Sequence, residues 1–520
     1  MATDRTDVTD EFMQYFIKIR FVQVVIILFG VGYSTGAGAN NQFPHTFETV
    51  PIKPTVQPTE TSVQKKTQLK LALANVVYLV IENNTSIKNA YLDRIAQKGD
   101  LAVAEDKFAP DFTPTVSVNL NELGRNGITS GSLTTNLGAK VVMRIPTGAE
   151  VTFNWTADAQ TSNLNSNLNN FSSSITDNSL RQNMELRLSQ PLLKNAGTRI
   201  NQASIDLARI TEKVNIENLK STLNTTITEA IIAYRELIRA QERVKIEQLS
   251  LKNAQDSLEI NQALIQAGRL APVEIIQNQT DIANRQVSLL SAQNDLESKR
   301  LALLAILDID KNINIEAETI TSVKPVALDI EKLRNIALSN RPEYLQAQFS
   351  VDQTKLNLMV AEDNKRWDLN LNATLLNNLN EAVDARLGLS LGHTFGDLSL
   401  EQTFKRAQVE LRKSENTLKN VQTKLDIDLQ DRVRNANLSY NQLELARRAT
   451  QLSQQQLEIE QEKLKLGRGS GVFQLIRLQN ELAQARNTEL DATIQYLNAL
   501  TNLDLFLGTT LQTWQVKIEN

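Results

Sequence analysis

Val103-Ala104-Glu105-Asp106 recurs letter for letter as Val360-Ala361-Glu362-Asp363. At the same offset upstream, Asn83-Asn84-Thr85-Ser86-Ile87-Lys88-Asn89-Ala90 resembles Asn340-Arg341-Pro342-Glu343-Tyr344-Leu345-Gln346-Ala347. Downstream, Leu258-Glu259-Ile260-Asn261-Gln262 with Gly268-Arg269 is answered by Leu457-Glu458-Ile459-Glu460-Gln461 with Gly467-Arg468. After a one-residue gap, Gln279, Asp281 and Ala283 align with Gln479, Glu481 and Ala483. The chain is therefore two copies of one plan, and the first copy carries roughly 58 extra residues between its anchors.

Outward from these anchors, each copy reads as helix, strand pair, very long helix, tight turn and long helix. In the first copy a helix is expected over about Gln68 to Lys107, followed by the alternating run Thr115 to Leu120 and a second run from Met184 to Gln190. The matching strands of the second copy are Asp368 to Leu375 and Arg386 to Leu391. Alternation with period two is the pattern of a barrel wall. It places Val116, Val118, Leu186, Leu188, Leu369, Leu371, Leu387 and Leu389 on the lipid-facing side and the intervening Ser, Asn and Arg residues toward a watery lumen. The insertion, about residues 122–182, holds a β-hairpin around Pro146-Thr147-Gly148 and an Asn/Ser-rich stretch from Ser162 to Asn178, and is expected in an extended surface loop.

Apolar residues step by three and four through Ile216, Leu219, Leu223, Ile227, Ala230, Tyr234 and Leu237. The second copy repeats this at Leu418, Val421, Leu425, Leu429, Val433, Ala436, Tyr440 and Leu443. No Pro or Gly interrupts about Arg199 to Gln266 or Leu398 to Leu466. At 1.5 Å per residue each helix spans on the order of 100 Å, the length of a rod or duct rather than a globular domain.

The 520 residues carry a formal charge of −4 and no cysteine. The charge balance gives no footprint for nucleic acid, and disulfides, thiol catalysis and cysteine-ligated metal are excluded. His45 and His393 lack metal-ligand spacing and are expected to pack or face solvent. No nucleophile elbow, phosphate loop or paired-carboxylate signature is present, so neither an enzyme nor a bound cofactor is expected.

Lys18 and Arg20, the apolar run Phe21 to Val31 and the small residues Ala37-Gly38-Ala39 form a secretory signal peptide over residues 1–39, with Met13 as an alternative start. A Pro/Thr-rich segment, 40–66, follows. The first repeat then covers 67–308, a linker 309–328, the second repeat 329–508 and a tail 509–520. Strands in a bilayer cannot leave edges unpaired, and four strands are too few to enclose a lumen, so several chains must pool them.

These features resemble the TolC family of outer-membrane efflux and secretion channels over nearly all of the mature chain. The resemblance lies in Leu69 to Ala90, in Leu333 to Ala347 with Asn340-Arg341-Pro342-Glu343, and in the crossing Leu188-Ser189-Gln190-Pro191-Leu192-Leu193. It extends to two helix-turn tips, Gly268-Arg269-Leu270-Ala271-Pro272 and Gly467-Arg468-Gly469-Ser470-Gly471. It implies a homotrimer whose twelve-stranded β-barrel, in the outer membrane, continues as a periplasmic α-helical barrel. That duct would dock by Gly268, Arg269, Leu270, Ala271, Gly467, Arg468, Gly469 and Ser470 onto a periplasmic adaptor and an inner-membrane ABC or RND transporter. Glu274, Gln277, Gln474 and Arg477 are expected at the aperture, with Arg468 or Arg477 pairing with Glu274 to hold it shut. The competing reading is a periplasmic coiled-coil adaptor without a pore.

Overall fold

The computed structural model describes residues 68–125, 128–165, 175–268, 271–319, 323–378, 382–466 and 471–517. The expected signal peptide and the Pro/Thr-rich segment lie outside the described residues.

Two helices dominate. α3 (Thr198–Gln266) and α7 (Leu398–Lys465) contain 69 and 68 residues, and each folds back at its far end onto a shorter partner, α4 (Glu274–Leu307) and α8 (Val472–Leu507). The three-four stripes bury as their spacing requires: Leu223, Ile227, Ala230 and Leu237 of α3 and Ala436 and Leu443 of α7 are fully buried, with Leu425, Leu429 and Val433 nearly so.

The first copy opens differently from the single helix expected over Gln68 to Lys107. β1 (Gln68–Leu71) comes first and pairs in parallel with β6 (Asn314–Ala317), inside the segment between the repeats. α1 (Leu73–Asn83) then breaks at Asn84, whose side chain accepts from the backbone N–H groups of Ser86 and Ile87 and so caps α2 (Thr85–Glu105). The second copy breaks at the same place with different chemistry: α5 (Ile330–Asn340) ends at Arg341, and Pro342 sits in the first turn of α6 (Pro342–Asp363).

Each break docks on the end of its own copy's short long-helix partner. In the first copy the Asn84 amide donates to the carbonyl of Ile306 at 2.8 Å, beside the left-handed Asp308. In the second, left-handed Gly508 packs under the carbonyl of Asn340. Apolar cores form at both joints, one around Val76, Val80, Ile87, Leu223, Ile227 and Leu304, the other around Ala337, Leu425, Leu429, Leu503 and Phe506. Beyond Gly508, α9 (Thr510–Thr513) places Leu511 in the first of these cores.

The sheet corrects the count of four strands. β2 (Asp111–Arg125), β3 (Ile128–Arg144), β4 (Glu150–Asn165), β5 (Ile175–Pro191), β7 (Asp368–Asn378) and β8 (Asp384–Gly392) form one antiparallel sheet in that order. The inserted hairpin is β3 and β4, in the body of the sheet. An inserted pair that continues the alternation has backbone partners on both sides, which an exposed loop would not offer.

Candidate functional site: a two-faced sheet above a polar helical seam

Residues directly opposite in an antiparallel pair lie on the same face, so the register fixes both surfaces. One row runs Phe112, Val141, Phe153, Leu186 and Leu375 across five strands. Another joins Leu188 to Ala373 and Ala373 to Leu387. All eight positions assigned to the lipid side, Val116, Val118, Leu186, Leu188, Leu369, Leu371, Leu387 and Leu389, fall on this apolar face. Val116 is 72% and Leu389 69% exposed, so among the described residues these stretches of the face are left uncovered.

The opposite face is hydrophilic. Ser189 donates to Asn372 at 3.0 Å and Asn372 to Ser390 at 3.3 Å, a polar ladder over β5, β7 and β8. Lys140, Asn154 and Glu185 stand in one register row on the same side. At the base of the sheet, Trp367 stacks on His393 with ring centroids 4.7 Å apart, and Phe395 meets both edge-on. His393 is thus a packing residue in an aromatic cluster. No described helix is long and apolar enough to cross a membrane.

Below the sheet, α3 meets the second copy along both α6 and α8, and the α3–α8 contact carries polar groups. Arg235 donates to the carbonyl of Leu497 at 2.6 Å and to the Thr501 hydroxyl at 2.7 Å. Burial lowers its pKa to about 10, which leaves it charged at neutral pH. Burial also raises the Asp504 carboxyl nearby, while the Thr509 hydroxyl and Arg235 pull it down. Toward the helix-turn end, Gln479 of α8 donates to Ser257 of α3 at 2.9 Å. Arg285 of α4, 5% exposed, holds Asp281 at 2.7 Å and Asn480 of α8 at 3.0 Å, and also bonds Ser250 of α3. Buried amide atoms of Asn261, Asn278 and Gln479 in this stretch find no hydrogen-bond partner among the described residues. Such packing is weak beside the apolar joints, because each unpaired buried group costs about 1–3 kcal/mol.

No protein-family model and no curated protein sequence matches the chain. Solved structures do. The outer-membrane channel OprN is 15% identical, with a TM-score of 0.61 over 84% of this chain and 89% of that one. The outer membrane protein VceC of Vibrio cholerae is 13% identical, with the same score over 84% of this chain and 96% of its own. The open-state outer membrane channel MtrE of Neisseria gonorrhoeae is 15% identical, with a TM-score of 0.59 over 86% and 93%. The chain has the TolC-type channel fold.

The described ones among the expected tip and aperture residues stand at the end of the first long helix and at the starts of the two shorter partners. Gly268, with φ +69°, closes the first turn and Ala271 is exposed beyond it, while Arg269 and Leu270 lie outside the described residues. Gly467, Arg468, Gly469 and Ser470 also lie outside them. Gly471, with φ +99°, caps α8. Glu274 opens α4 half-buried, Gln277 is exposed one turn on, Gln474 is half-buried and Arg477 exposed on α8. Arg477 faces Glu481 of its own helix at 3.7 Å, and among the described residues it makes no pair with Glu274. The Arg285 network was not read from the sequence. Its only sequence signal is Asp281 followed four residues later by Arg285, a spacing shared by ordinary surface pairs.

Proposed function

We propose that this chain is an outer-membrane exit duct: a homotrimer whose pooled strands form the membrane pore and whose long helices carry the passage through the periplasm. Transport through it is passive, with energy supplied by an inner-membrane ABC or RND transporter reached through a periplasmic adaptor at the helix-turn tips. One observation carries this reading. A sheet with an apolar and a polar face and two edge strands, β2 and β8, stands at the end of helices about 100 Å long. Oil requires edge N–H and C=O groups to find partners, and copies of the same chain supply them. The polar seam of Arg235, Gln479 and Arg285 supports a tip that opens, since hydrogen bonds along it exchange with water at little cost.

A periplasmic adaptor is disfavoured because strand pairs interrupt both helical sets instead of forming one compact β domain. The deciding experiment is fractionation of cells expressing the full chain, with electrophoresis of heated and unheated samples. A heat-modifiable oligomer in the outer-membrane fraction is expected; a monomer released by osmotic shock overturns the proposal.

A further inference from the structure

We propose that each subunit builds the pore wall from six strands rather than four, with β2 of one copy pairing to β8 of the next, so that a three-fold assembly closes an eighteen-stranded barrel. The inference rests on the membrane-duct reading above and extends it to the calibre of the exit.

Two independent observations carry it. The first is the facing code of the inserted hairpin. Val141 of β3 and Phe153 of β4 occupy the same register row as Phe112, Leu186 and Leu375, while Lys140 and Asn154 share the polar row with Glu185. A one-residue slip in either strand would turn its whole apolar set to the wrong side. Hairpin and flanking strands therefore present one continuous apolar surface and one continuous polar surface.

The second is how the hairpin's inner turn is anchored. Thr147 accepts from the backbone N–H of Gly197, at the start of α3, at 2.9 Å, and its hydroxyl donates to Gln190 at 3.1 Å. Gly148 has φ +99°, and a Cβ there would collide with the Asn195 carbonyl and with Asn201. The turn is built into the junction between sheet and helices, where every strand of the wall must meet the tunnel.

Closure follows from topology. Six alternating strands leave β2 and β8 antiparallel to each other across a subunit boundary, so the alternation continues around the ring, and each edge finds its only membrane-compatible partner in another copy. Barrel diameter grows roughly linearly with strand number, which makes this exit about half as wide again as a twelve-stranded one. Cargo size at the outer membrane is then limited by the tip and not by the barrel.

The chain has no cysteine, so single-cysteine variants report one position each. Phe153→Cys and Asn154→Cys probe the two faces of the hairpin, and Leu371→Cys probes the second-copy wall. Outer-membrane vesicles bearing each variant are treated with a charged, membrane-impermeant maleimide. Phe153→Cys and Leu371→Cys are expected to react about tenfold or more slowly than Asn154→Cys, whose neighbours face water. Equal, fast reaction at both hairpin positions with Leu371→Cys protected overturns the six-strand wall and leaves the duct intact. Fast reaction at Leu371→Cys as well overturns the duct reading itself. Counting strands in electron-microscopic reconstructions of the unmodified oligomer decides the matter without any variant: six per subunit supports the proposal and four rejects it.

Discussion

Gly508 and Gly268 separate two reasons for a glycine. Both are left-handed, at φ +73° and +69°, but a Cβ at Gly508 would lie 2.5 Å from the Asn340 carbonyl oxygen, whereas at Gly268 it would meet nothing within 4 Å. Gly268→Ala is expected to cost about 1 kcal/mol of backbone strain. Gly508→Ala costs about 1–3 kcal/mol more, since the α5–α6 break must move, and thermal unfolding of the two purified variants gives the order. A second residue-scale test concerns Arg94 and Glu212, a pair at 2.6 Å with side chains 10% and 14% exposed. The Arg94 guanidinium holds the Glu212 carboxyl below its ordinary value of 4.5. The pair's contribution is thus complete above about pH 4.5 and is lost as the pH falls through the lowered value. Glu212→Gln is expected to destabilise the protein by about 3 kcal/mol at neutral pH, with the gap from the unaltered protein closing in acid. A gap that stays constant from pH 7 to about pH 3 would show that the ion pair does not contribute.

At the scale of elements, the first long hairpin turns polar toward its tip, around Asn261, Asn278 and Arg285, whereas the second keeps a buried cluster of Leu457, Leu475, Leu478 and Leu482 there. Among the described residues, Arg285 is a side chain that bonds α3, α4 and α8 together. Its replacement by Ala leaves Asp281 buried without its partner, and the measurable result is a higher or more frequently open single-channel conductance in planar bilayers. Arg477→Ala serves as the contrast, because its pair with Glu481 is half-exposed and worth under about 1 kcal/mol. Conductance that does not change in Arg285→Ala removes this network from the gate. The inserted hairpin supplies a third test. Gly148→Val drives a branched side chain into Asn195 and Asn201, so the turn must lift from the base of the sheet. Heat-modifiable oligomer is expected to fall in that variant, while it stays unchanged if the hairpin is a free loop.

For the molecule as a whole, the recurring order of elements, the two long helices and the eight positions on the sheet's apolar face were legible in the sequence. Each depends on a short-range rule: period two puts alternate side chains on one face of a strand, and steps of three and four do the same on a helix. The helix break at Asn84 was missed because an Asn within an apolar-periodic run signals a cap only once the chain turns there. The pairing of β1 with β6 was missed because it joins residues 68–71 to 314–317, and four-residue runs carry too little pattern to announce a partner so distant. The hairpin of β3 and β4 was recognisable as a hairpin, yet its place was not, since alternation specifies two faces without naming the neighbour that continues them. Local periodicity thus determined which residues are helix, which are strand and which of those share the apolar or the polar face. Tertiary pairing alone decided that the sheet holds six strands and that Arg285 ties three helices, because strand neighbours and buried polar partners are chosen by contacts between segments far apart in the chain.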